Sequence, residues 1–404
     1  MEVQVTSTVF KGGQLFRGGG FESGDVLVDE GRIVEVGTDL SGDETVDCTD
    51  LAVLPGLFDT HIHMGFPDLE GLDLNLVGAE GPEAFVLRFP ETARKTIGLG
   101  ITTVRDAGGA GYGYKQALDR GYVVGPRMQT AITMLSMTGG HADNYMAYGG
   151  APWEGLNLPG YVDPLCDGVD QCILKTREVI RAGAEVVKIS ASGGFISPND
   201  DPRHPNFLQE EMDAIVRTAA DLGVPVMAHA HGAEAIKRAV RAGVRSIEHG
   251  TYLDEEGAEM MAERGTWLVS TMTAADANET LATDERVPAE IRAKFAEIGT
   301  PERGAFSMAV EMGVRVAMGT DCPVAPHGTN LRELELMTEN GITPEQALVA
   351  ATSSAAELMG LDDRLGSLTL GKLADLVVVS GDPLVFPDLA DRIDQVWKNG
   401  ARVV

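Results

Sequence analysis

Five of the eight histidines in this chain stand where short apolar, β-branched runs break off: His61 and His63 after LFDT, His229 and His231 in VPVMAHAHG, and His249 after SIE. Neutral imidazole is the commonest nitrogen ligand for a divalent transition metal. In a strand, residues i and i+2 face the same side, so His61 and His63 can grip one ion together. A lone His-x-His arises often by chance. Here, ligand-type residues also end the neighbouring runs: Arg105 and Asp106 after ITTV, Lys188 after AEVV, and Asp321 in GTDCP. A scatter of core or surface histidines would not collect in this way, so a metal site is expected.

Lys188 is the odd member, because an ammonium among metal ligands repels cations and loses hydration. Either it snorkels outward or pairs with an acid such as Glu185 or Asp321, or its neutral amine is carboxylated by CO₂ and becomes an anionic bridge. The spacing leaves both open.

The elements that must position these residues follow a rhythm. A helical stretch ends at a glycine, which suits a helix C-terminus, and a strand-like run follows: Gly100-ITTV, Gly183-AEVV, Gly223-VPVM, Gly243-VRSI, Gly265-TWLV and Gly313-VRVA. With Gly56-LFDT and Met128-QTAITML there are eight such runs, alternating with amphipathic segments such as EAIKRAVRAG and EEMDAIVRTAADLG. Eight is the count of a (β/α)₈ (TIM) barrel, whose active site lies where its strands end. The barrel is expected over residues 56–365. Residues 1–55 and 366–404 have another style, short strands with turns at Glu30-Gly31 and Asn399-Gly400, and are expected to pair into a small β-sandwich.

Composition sets bounds. A net charge of −29, from 61 acidic against 32 basic residues, repels phosphates and anionic membranes, so no nucleic acid and no membrane is expected as a partner. No leader-like segment and no run of eighteen apolar residues is visible, which points to the cytoplasm. Cys48, Cys166, Cys172 and Cys322 lack paired spacing and fit a reducing compartment.

The segments LPGLFDTHIHMG, EVVKISASGG, PVMAHAHG, SIEHGTYLD, GTDCP and GKLADLVVV resemble, in order and spacing, the amidohydrolase superfamily. They resemble most its prolidase-like (Xaa-Pro or Xaa-Arg/Lys) dipeptidase branch, related to imidazolonepropionase; TTVRDAGG and TGGHADNY add to that likeness. The resemblance implies two divalent ions, zinc best suiting the ligands. His61, His63 and Asp321 would hold one, His229 and His249 the other, and an N6-carboxylated Lys188 would bridge them. Relatives in the branch keep the first histidine of the His229/His231 pair as ligand, which leaves His231 beside the site. His141 would polarise the scissile carbonyl, and Tyr252 would approach the substrate, at its C-terminal carboxylate. Imidazolonepropionase itself is mononuclear and lacks the lysine, so Lys188 favours the dipeptidase branch.

The expected reaction is hydrolysis of a dipeptide or N-acyl amino acid by metal-activated hydroxide, with Asp321 moving the proton from water to the leaving amine. A cyclic amide, carbamate or aryl amide would use the same ligands. A non-catalytic barrel scaffold would be expected to have lost some of them, and all six are here. Arg105 and Asp106 read as an internal ion pair at the rim. Arg203 and His204, in PNDDPRHPN, face substrate or solvent, and that loop together with residues 281–295 is where specificity is expected. The resemblance also allows a homo-oligomer.

Overall fold

The structure, a computed structural model, describes residues 7–68, 82–143, 160, 162–197, 200–285, 287 and 289–404. The two ends of the chain do pair. β1 (Thr8–Arg17), β2 (Gly20–Asp29), β3 (Arg32–Gly37), β4 (Glu44–Asp47) and β5 (Leu51–Pro55) join the last three strands, β14 (Leu376–Ser380), β15 (Ile393–Lys398) and β16 (Ala401–Arg402), in one eight-stranded sheet. The turns fall where expected, with Glu30 and Asn399 both left-handed, at φ 48° and 50°. Phe10, Leu15, Val26, Ile33, Val378 and Trp397 build a core of its own under this sheet.

Between the ends, strands run parallel. β6 (Leu57–Ile62), β7 (Ile101–Asp106) and β8 (Arg127–Thr130) form one sheet. β9 (Met134–Leu135), β10 (Val187–Ser190), β11 (Val226–Ala230), β12 (Ser246–His249) and β13 (Trp267–Val269) form another. β6, β7, β10, β11, β12 and β13 are buried along their whole length, as strands covered on both faces must be. The helices between them face inward by a 3.6 period: Ala233–Ala242 buries Ala235, Ile236, Ala239 and Val240, and Gly243 then stops it at φ 97°.

Two expected strands come out differently. Met128-QTAITML is not continuous, because left-handed Ile132 at φ 68° separates β8 from β9. Gly313-VRVA makes no ladder. The stretch from it to Cys322 touches its neighbours by single parallel bridges, Val316 to Leu268 and Cys322 to Ile62. That stretch lies between β13 and β6, and so between the two parallel sheets.

All four cysteines are free and buried, in keeping with the sequence reading. Among the described residues no helix is long and apolar enough to cross a membrane.

Candidate metal centre

The parallel strands deliver the expected residues to one place. His61 lies in β6 with His63 just beyond it, Lys188 in β10, and His229 in β11 with His231 just after it; β12 ends on His249. Asp321 is brought in by backbone bonds of Thr320 and Asp321 to the His61 carbonyl, at 3.0 and 2.7 Å. Buried Asp59 clamps the same junction, accepting from the His61 and Thr320 amides, the Thr320 hydroxyl and the Asn330 amide. Among the described residues, ligand-type atoms gather in two groups, each within 4.8 Å: His61, His249 and Asp321, and His229, His231 and His249. His63 Nε2 joins the first, 3.1 Å from Asp321 Oδ1.

The outward nitrogens decide which atoms face inward. His63 Nδ1 donates to the Gly108 carbonyl at 2.8 Å, leaving its Nε2 lone pair free. Thr271 gives its hydroxyl proton to the Ser270 carbonyl, so it accepts from His249 Nδ1 at 2.8 Å, and again Nε2 is left for a ligand. His61 Nδ1 meets Glu248 Oε2 at 2.8 Å and His231 Nδ1 meets the Thr251 hydroxyl at 2.7 Å. His229 is turned the other way. Its Nε2 donates to the Gly193 carbonyl at 3.1 Å, which leaves Nδ1. Such outward bonds orient metal-binding imidazoles and raise their basicity. The donor set, imidazole nitrogens with a carboxylate, suits a borderline ion such as zinc.

Backbone strain is present here. His249, Thr271 and Asp321 all adopt left-handed conformations, at φ 71°, 57° and 60°. Each costs about 1–3 kcal/mol and persists only where surrounding structure imposes it.

Burial dominates the electrostatics. It drives the His231 pKa down to about 3 and those of His229 and His249 well below the ordinary value, so these rings stay neutral and keep a lone pair. Burial also brings the Lys188 amine down to about 8, against the pull of Glu248 and Asp321. For Asp321 burial works upward, but His61 and His63 overcome it and hold the carboxyl far below the usual range.

Two expectations, on Lys188 and on Arg105 with Asp106, are corrected by this geometry. Lys188 does not snorkel, being 1% exposed, and Glu185 bonds Lys115 instead; the Lys188 Nζ sits 3.3 Å from His61 Nε2. Arg105 and Asp106 do not pair with each other. As neighbours in a strand they point to opposite faces, so Arg105 meets Glu248 at 3.0 Å while Asp106 accepts amides of Met64, Gly108 and Ala110. Arg203 and His204 are exposed, Arg203 held by Asp201 and Glu297.

His141 stacks on His229 with ring centres 4.3 Å apart, its Nδ1 against the Ser197 hydroxyl at 2.8 Å. Tyr252 is half-buried, packing on Phe195, whose edge also meets His231 at 4.7 Å. Asn144 and Tyr145 of TGGHADNY, residues 198 and 199 of the loop after β10, and residues 286 and 288 lie outside the described residues.

Residues 52–403 match the amidohydrolase family as a whole. The chain belongs to that family. Ochratoxinase of Aspergillus niger is 34% identical over 363 residues, spanning 86% of this chain and 75% of the relative. Imidazolonepropionase of Rhizobium rhizogenes is 26% identical over 394 residues, 87% and 85% of the two chains. The solved structure of a Xaa-Pro dipeptidase with methionine bound in its active site superposes with a TM-score of 0.89 at 33% identity, covering 98% of this chain and 99% of that one. This amidohydrolase is therefore a hydrolase with prolidase-like structural neighbours, in a metal-dependent family that acts on small molecules.

Sequence reasoning passed over Glu248, Thr251, Thr271 and Asp59. Asp59 in LFDT and Glu248 in SIEH carried a signal: a charge inside a run buried on both faces needs a partner inside the fold. Thr251 and Thr271 carried none, since a threonine near a strand end is ordinary.

Proposed function

We propose that this amidohydrolase is a binuclear amide hydrolase of the dipeptidase type, cleaving Xaa-Pro or N-acyl amino acid bonds. The observation that carries this is the meeting of two ligand groups at His249, with Lys188 buried against His61. His61, His63 and Asp321 would hold one ion, and His229 and His249 the other, with carboxylated Lys188 between them; His231 is near enough to serve the second ion. Zinc is the ion the donor set favours. When bound, such a pair lowers the pKa of water and polarises the amide carbonyl.

The chain's own groups supply the rest. Asp321, ionised and facing both His61 and His63, takes the proton lost by water and passes it to the leaving amine. His141 donates from Nδ1 to the Ser197 oxygen, whose own proton goes to Asp200, so it would act on the carbonyl oxygen as an imidazolium, with Nε2–H facing the negative charge that develops there. Tyr252 reaches toward the substrate's carboxylate. The methionine in the dipeptidase neighbour supports an amino acid product. Likeness to imidazolonepropionase supports a second reading, a cyclic or other non-peptide amide as substrate.

In this reading residues 56–365 form a closed (β/α)₈ barrel, the 314–322 stretch joining the two parallel sheets. Residues 1–55 and 366–404 form the small sandwich. β1 forks there, its first half pairing with β4 and its second with β5, as a strand turning a corner between layers does.

Plasma mass spectrometry of the purified protein, followed by hydrolysis of a dipeptide and N-acyl amino acid library, tests the proposal. Near two ions per chain with peptide cleavage supports it. Two ions with no peptide cleaved moves the assignment to the non-peptide amides, and one ion removes the bridging role of Lys188.

A further inference from the structure

Beneath the candidate centre lies a network of buried polar groups. Arg105 is 2% exposed and Glu248 fully buried, and both point inward from strand interiors. The Arg105 guanidinium donates to the Thr60 carbonyl at 2.6 Å, to the Ser246 hydroxyl at 3.2 Å, and through Nη2 to both Glu248 oxygens at 3.0 and 3.2 Å. Ser246 passes its own proton to Glu248 Oε1. The remaining contact of Oε2 is His61 Nδ1, at 2.8 Å.

A guanidinium can only donate to Glu248, and Ser246, whose oxygen accepts from Arg105, gives Glu248 its proton. The carboxylate is thereby set as an acceptor on every side, and His61 must supply a proton from Nδ1. An unpaired Arg105 at this depth would be strongly unfavourable, so the pair is mutually required.

We infer that Glu248, anchored by Arg105 and Ser246, is the positioning residue that fixes His61 as its Nδ1–H tautomer and reserves the Nε2 lone pair for a metal. The metal consequence rests on His61 being a ligand, as proposed above; the tautomer does not, because it is set by the protein alone.

Glu248→Gln is the informative change. Arg105 and Ser246 require the amide oxygen, so the NH₂ is turned to His61 Nδ1, which must then accept. The proton moves to Nε2, the nitrogen a metal needs. An equivalent carboxylate-to-amide change in serine proteases acts through the wrong imidazole tautomer. A second variant, Arg105→Met with Glu248→Leu, removes both charges and leaves none buried alone, so its folding does not depend on the pair.

Long-range proton–nitrogen spectra of histidine-labelled full-length protein, metal-free and zinc-loaded, read the tautomer, with His61 assigned by His61→Gln. Zinc titration reads affinity. The expected result is Nδ1–H in the parent, Nε2–H in metal-free Glu248→Gln, a mixture in the double variant, and roughly 10–100-fold weaker binding of one ion in both. Persistence of Nδ1–H in both variants, or Nε2–H in the parent, overturns the inference. Should the tautomer move while the parent takes up no zinc, the positioning role stands and the metal reading fails.

Discussion

On one side of the candidate centre, imidazoles are tied to charge: His61 to Glu248, and both His61 and His63 to Asp321. On the other, His231 and His249 lean on threonine hydroxyls and His229 on a backbone carbonyl. Burial lowers the basicity of His63, His229, His231 and His249, yet His63 ends with a raised pKa because Asp321 outweighs its burial, whereas His229, His231 and His249 end far down. The same side chain is thus given two characters by the charged or neutral groups beside it. The carboxylate side supplies the attraction for a cation, and the hydroxyl side supplies neutral lone pairs held in place.

If that division holds, removing the charge should hurt most. Asp321→Ala is expected to lose metal and to lower turnover by about 10³-fold or more, since metal stabilisation of the reacting oxygen is worth several kcal/mol; His61→Ala should follow it. Metal content and kcat/KM measured on one preparation decide, and full turnover in either variant would sink the assigned roles. Lys188→Ala, which takes away the group between the two sides, should cost about 100-fold and recover partly when a short carboxylic acid is supplied.

A smaller effect tests the other side. Thr271→Val keeps the shape of the residue but removes the acceptor for His249, and about 10-fold weaker binding of one ion is expected by zinc titration. A loss well beyond about 10-fold, toward the roughly 100-fold upper end expected for Glu248→Gln, would erase the distinction between charged and hydroxyl support.

What the sequence showed of this division follows from where information sits. The ligand residues are legible because each ends a β-branched run, and a histidine or aspartate there breaks the local pattern visibly. The glycine-ended helices and the Asn399-Gly400 hairpin were legible because a left-handed turn restricts residue choice. The outward partners were not. Glu248 meets His61 across 187 positions of sequence and Thr271 meets His249 across 22, so pairing depends on the fold rather than on any local spacing. The Arg105–Asp106 pairing failed for the opposite reason: adjacency in sequence puts strand neighbours on opposite faces. The break at Ile132 was hidden because a β-branched residue is the last expected to turn left-handed.

The least of the expected effects reaches both sides through Lys188. Carboxylation consumes the neutral amine, and with its pKa brought to about 8 by burial, about one Lys188 in ten is neutral at pH 7, against about one in three thousand for an ordinary lysine. Raising the pH of metal-free protein from 7 should therefore speed reconstitution by zinc and bicarbonate about tenfold, levelling above pH 8, when dissolved CO₂ is held constant. A rate still climbing beyond pH 9 would mean an ordinary lysine, and a flat profile would mean that no amine is consumed. Asp321 pulls the Lys188 pKa upward, so Asp321→Asn should move the midpoint below 8, whereas Thr271→Val removes no charge and should leave it in place. Equal shifts in the two variants would show that burial alone sets the amine and that the carboxylate side has no electrostatic reach beyond its own ligands.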